Sequence, residues 1–87
     1  MTTQVSISQA AAMVMLAECF STDTAALAVA TDRDAIPGWD SMGALMLMAE
    51  LDERFELELS AEASRAMRSV GDILAFLRKH GVLGDAP

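Results

Sequence analysis

Apolar residues recur at helical spacing along this 87-residue chain and fix the order of its elements. Ala10, Met13, Val14, Ala17 and Phe20 mark one face of a first helix over 6–20, with Ser6 and Gln9 as a capping box at its start. The polar stretch Ser21–Thr24 ends it. A long connection follows from Ala25 to Asp40, within which Ala25–Ala30 is a candidate helical turn. Leu27, Val29 and Ile36 are expected to anchor this loop to the core. Pro37 disfavours helix at Ile36, and Gly38 permits a tight turn. Asp40 then caps a second helix over 41–55. Glu56–Leu59 alternates polar and apolar residues, the pattern of a short extended link. Ser60 can cap a brief third helix over 61–67. Ser69 and Asp72 open a fourth over 70–80, whose buried stripe is Val70, Ile73, Leu74 and Leu77. Gly81 is its stop, leaving a loose tail to Pro87, and Met1–Val5 is expected to fray. The pattern predicts one all-α domain spanning 1–87. Its expected form is a four-helix bundle with a long loop between helices one and two and a short third helix.

The second helix departs from the usual one-sided pattern. At about 100° per residue, Ala44, Leu47, Met48, Leu51 and Phe55 gather on a core face. Met42, Leu45, Met46, Ala49, Asp52 and Glu53 gather on the opposite side, with Glu50 on its flank. A purely structural helix would make that second side polar. This one is mixed, apolar and acidic, which suits brief recognition of several partners by methionines that repack. Two readings are open for Met42 and Leu45: a docking surface, or a patch that the long loop covers. Met46 is harder to cover.

Composition narrows the partners. A chain of this length buries about 60–65% of the surface its unfolded form exposes, so one modest core is expected. Hydrophobic residues make up 53% of the chain and exclude disorder. Aromatic residues are only 5%, and most of the seven methionines read as core filler. Thirteen acidic against six basic side chains give a net charge of −7. Such a chain repels phosphate backbones and anionic headgroups, so no nucleic acid and no membrane partner is expected. Basic protein surfaces are its natural partners, although acidity can also serve solubility alone. The apolar runs Ala10–Ala17, Ala25–Ala30 and Ala44–Ala49 are far short of the roughly 20 residues that span a bilayer. The first basic residue is Arg33, so a secretory leader is not expected. The single Cys19 cannot pair internally and reads as a small core hydrophobe, in line with a cytoplasmic setting.

Enzyme chemistry has little support. His80, the only histidine, sits late in the last helix beside Arg78 and Lys79, as a solvated residue or one facing the helix dipole. Cys19 and His80 give no metal-ligand spacing, and no glycine-rich phosphate loop is present. What stands out is Gly38-Trp39-Asp40-Ser41-Met42, where a turn feeds an acid and a serine into a helix start. Alone, Asp-Ser before a helix is ordinary capping. Backbone N–H groups and the dipole at such a tip also favour a phosphate, by about 0.3–1 kcal/mol.

The surroundings of that dipeptide resemble the acyl carrier protein family. Asp40-Ser41-Met42 is similar to its Asp-Ser-Leu attachment motif, with Met42 in the third place. Leu51-Asp52-Glu53-Arg54-Phe55-Glu56-Leu57 looks like the family's second-helix ending, and Ser69-Val70-Gly71-Asp72-Ile73 its Thr-Val-Gly-Asp opening of the last helix. The resemblance covers nearly the whole chain. It implies that Ser41 carries a covalent 4′-phosphopantetheine arm, installed from coenzyme A by a phosphopantetheinyl transferase, with cargo held as a thioester. The chain would then be no enzyme but a monomeric substrate of enzymes: an acyl- or aminoacyl-loading ligase and downstream transferases with basic docking surfaces. Met42, Ala49, Asp52 and Glu53 match positions that dock partners, and the expected surface also takes in Asp40, Leu45 and Met46. Gly43 and Met46 stand where fatty-acid carriers often have acids, and Asp-Ser-Met-Gly is also similar to D-alanyl carrier proteins. These departures imply a discrete carrier for a specialised biosynthetic pathway. Trp39 either packs in the turn or touches substrate. The rival reading is an acidic helical interaction module with no arm.

Overall fold

The computed structural model describes residues 6–84. It is all-α: α1 (Gln9–Cys19), α2 (Ser41–Phe55), α3 (Ala61–Ala66) and α4 (Val70–Lys79). Two 3-10 turns, Thr24–Ala26 and Arg33–Ala35, lie in the connection between α1 and α2. The only β pairing among the described residues is two isolated bridges.

Each helix starts on a side chain that takes up one of the backbone N–H groups a helix leaves unbonded. Ser8 accepts from Ala11, Asp40 from Gly43, Ser60 from Ala63 and Ser69 from Asp72. The first of these corrects the expected start at Ser6. Ile7 pairs with the far end of the chain: its N–H donates to the Val82 carbonyl at 2.9 Å, and its own carbonyl accepts from Gly84 at 2.9 Å. A residue held in that extended pairing cannot also enter a helix, so α1 begins two residues later. The same pairing corrects the loose tail. Val82 and Leu83 are buried, and Gly81, with φ 76, turns the chain back toward Ile7. The expected fray at Met1–Val5 and the end of the tail at 85–87 lie outside the described residues.

The long connection is tied down differently from expectation. Leu27 and Ile36 are buried, but the Val29 side chain is 48% exposed. Val29 holds through its backbone instead, its carbonyl accepting from Gly71 at 2.8 Å. Thr31 accepts from Val70 at 3.0 Å, and Arg33 donates its backbone N–H to the Arg68 carbonyl at 2.8 Å. The helical turn expected over Ala25–Ala30 is a single 3-10 turn beginning at Thr24.

One core joins these pieces. Ala12, Met15, Leu16 and Phe20 of the α1 region meet Leu47 and Leu51 of α2 and the Val70, Ile73, Leu74, Leu77 stripe of α4, while Ala10 and Val14, expected on the α1 core face, are exposed. Met15 and Met67 are buried, and Met13 and Met48 pack against the same cluster, so most methionines do serve as filler. The link at 56–59 forms no regular element and buries Leu59.

Candidate functional site

The start of α2 is set by close backbone packing. A Cβ on Gly38 would run into the carbonyl oxygen of Phe20, and one on Gly43 would run into the carbonyl of Gly38. Glycine is therefore required at both places by close approach. Beside them, Trp39 is buried and stacks on Phe20 with centroids 5.0 Å apart and planes 13° from parallel. The Arg33 guanidinium covers the indole, 5.3 Å from its centroid. Trp39 is thus a packing residue, and its Nε1 has no hydrogen-bond partner among the described residues. The end of α1, the turn and the first turn of α2 form one closely packed block.

Ser41 rides on that block as the first residue of α2, and it is exposed. Asp40, in extended conformation, accepts the Gly43 N–H at 3.0 Å through Oδ1. The N–H groups of Ser41 and Met42 have no partner among the described residues, nor does the Ser41 hydroxyl. A hydroxyl and two free N–H groups thus share the positive end of a 15-residue helix.

The two faces of α2 separate as the periodicity requires. Ala44, Leu47 and Leu51 are buried, with Met48 and Phe55 packed against the core. Met42, Leu45 and Met46 are 66%, 57% and 50% exposed. The long loop therefore covers neither Met42 nor Leu45. Ala49, Asp52 and Glu53 are exposed on the same side, and Asp40 is exposed at the tip of the helix. Glu50 on the flank pairs with Arg54 at 2.7 Å, an i,i+4 contact in the favourable order that contributes about 0.3–0.5 kcal/mol.

On its other flank, Ser41 opens onto a cleft of about 360 Å³ between α2 and α3. Ala44, Leu45 and Met48 form the α2 wall, and Ala61, Ser64 and Arg65 the α3 wall. Arg33 lines it from the second 3-10 turn. Arg33 and Arg65 are site residues that sequence reasoning did not find. They lie 32 positions apart on different elements, and no periodicity links them.

The remaining candidate chemistry is quiet. Burial pushes the Cys19 thiol up to about 11, with Glu50 and Glu18 adding to the shift and Arg54 opposing it. Such a thiol is neither nucleophile nor ligand at neutral pH. His80 caps the end of α4 and lies against Phe76, with ring centroids 4.5 Å apart. Among the described residues, no three His, Cys, Asp or Glu side chains converge to hold a metal ion. No helix there is long and apolar enough to cross a membrane. No protein-family model and no curated protein matches this chain.

Proposed function

We propose that the chain is a discrete carrier protein that bears a 4′-phosphopantetheine arm on Ser41. It would have the four-helix bundle form of the acyl carrier family. The observation that carries this reading is the Ser41 hydroxyl, exposed on the first turn of α2 beside two unbonded N–H groups. A phosphodiester formed there gains those two donors and the helix dipole, while the carboxylate of the preceding residue, Asp40, has one oxygen engaged by Gly43. In the attachment step, Ser41 Oγ forms a bond to the phosphorus that bears the pantetheine. The pyrophosphate bond of coenzyme A breaks, and adenosine 3′,5′-bisphosphate leaves. The serine proton passes to a base on the transferase, which is why no base need stand beside Ser41. The arm supplies a thiol on which cargo is held as a thioester.

The exposed Met42, Leu45 and Met46, flanked by Asp52 and Glu53, support a docking role for this side of α2. Its mixed chemistry suits basic partner surfaces with an apolar centre: the transferase, a loading ligase and the enzymes that take the cargo onward. The same three residues would also serve an interaction module without an arm. Incubation with coenzyme A and a promiscuous phosphopantetheinyl transferase, followed by intact mass measurement, separates the two. The carrier gains the mass of one phosphopantetheine, and the plain module gains nothing.

A further inference from the structure

The cleft that begins at Ser41 has an unusual distribution of charge. Its middle is apolar, made by Ala44 and Met48 on α2 and Ala61 on α3. From Ser41 to Met48 it follows α2 for about 10 Å at the helical rise. Two arginines line it, in a chain with thirteen acidic and six basic side chains. With carboxylates in such excess, an arginine at the surface has many chances to pair, and Arg54 does so. Among the described residues, neither Arg33 nor Arg65 pairs with a carboxylate. Arg33 is nevertheless held in place. Its Nη1 donates to the carbonyls of Ser64 and Met67 at 3.5 and 3.4 Å, and its Cζ lies over the Trp39 ring. That leaves Nε and Nη2 without partners among the described residues. A guanidinium fixed on one side and open on the other is preorganised to bind a planar anion.

We propose that this cleft takes an acyl chain ending in a carboxylate, with the hydrocarbon against Ala44, Met48 and Ala61 and the carboxylate between Arg33 and Arg65. The inference rests on the carrier reading of Ser41 and names the class of cargo. A purely aliphatic cargo would leave both guanidinium groups unused, whereas a dicarboxylic half-thioester satisfies the apolar middle and the charged lining together.

The test loads the chain from adipyl-coenzyme A, from hexanoyl-coenzyme A or from coenzyme A alone, using a promiscuous transferase, with the product checked by intact mass. Backbone amide and arginine Nε–H resonances are then compared among the three forms. The adipyl form should shift the signals of Arg33, Ala44, Ser64 and Arg65 at least twofold more than the hexanoyl form. Arg65→Gln should remove at least half of that difference; Arg65 is exposed and unpaired, so the fold tolerates the change. Equal shifts in the adipyl and hexanoyl forms would overturn the proposal. Arginine shifts already complete in the form carrying the bare arm would also overturn it, because the phosphodiester would then be the anion bound. A chain that gains no mass in any arm loses the carrier reading and this inference with it. Normal loading without a carboxylate-dependent shift removes the inference alone.

Discussion

The starts of α2 and α4 use the same capping chemistry and end in opposite states. At α4, Ser69 accepts from Asp72, and the Asp72 carboxylate accepts from Arg68 at 2.8 Å. The next donors are also taken, because Thr31 accepts from Val70 and Val29 from Gly71. The loop between α1 and α2 closes that tip completely. At α2, Asp40 takes Gly43 and no segment of the described chain takes Ser41 or Met42. One helix tip is a structural joint, and the other keeps its first N–H groups unbonded among the described residues. A capping sequence therefore marks a helix start without saying whether that start is available; the rest of the chain decides.

The closely packed block under α2 offers the strongest way to break this contrast. Gly38→Ala forces a methyl group against the Phe20 carbonyl, which must move. Overpacking of this kind typically costs about 1–3 kcal/mol. Urea denaturation should show that loss, and the rate of arm attachment should fall with it as the tip is displaced.

Next comes the cap at the closed tip. Ser69→Ala should lower stability by about 1 kcal/mol, the usual loss for a cap, without slowing attachment at Ser41. Asp40→Ala should match it in stability, because the same kind of bond is lost, and should slow attachment as well. Equal attachment rates in the two variants would remove the functional distinction between the tips.

The proposed docking side should give a smaller, kinetic effect. Replacing Asp52 and Glu53 with lysine should slow transfer to basic partner enzymes several-fold, with the melting temperature unchanged, since both residues are exposed and unpaired. Unaltered kinetics with every partner would place docking elsewhere.

A separate effect, read in stability alone, is a pH dependence at the buried Cys19 thiol at the end of α1. The folded value for Cys19, about 11, lies above the roughly 8.5 of an unfolded thiol. Its contribution to stability is therefore fully present below about pH 8.5 and is lost as pH rises toward 11. The stability difference between the native chain and Cys19→Ala should shrink over that window in paired urea titrations.

The bounds of α2 and three of the four caps are legible in the sequence because capping is a local event, written within three or four residues. Asp40, Ser60 and Ser69 all act where the pattern places them. Ser8 displaces Ser6 because of Ile7, whose partners Val82 and Gly84 lie at the other end of the chain. Val29 misleads for a similar reason. Its hydrophobic side chain suggests burial, while its contribution is a carbonyl bound to Gly71. The two faces of α2 could be read from periodicity, but the exposure of Met42 and Leu45 depends on where the loop runs, and the loop runs to α4. That Arg33 and Arg65 line the same cleft has no local signature at all.

The most direct test locates the arm. After incubation with coenzyme A and a promiscuous phosphopantetheinyl transferase, proteolysis and peptide mass measurement should find one phosphopantetheine on the fragment containing Ser41. None should appear on the fragment containing Ser69, and Ser41→Ala should carry none anywhere. An unmodified chain, or an adduct that persists in Ser41→Ala, would contradict the assignment of the open tip of α2 as the attachment site.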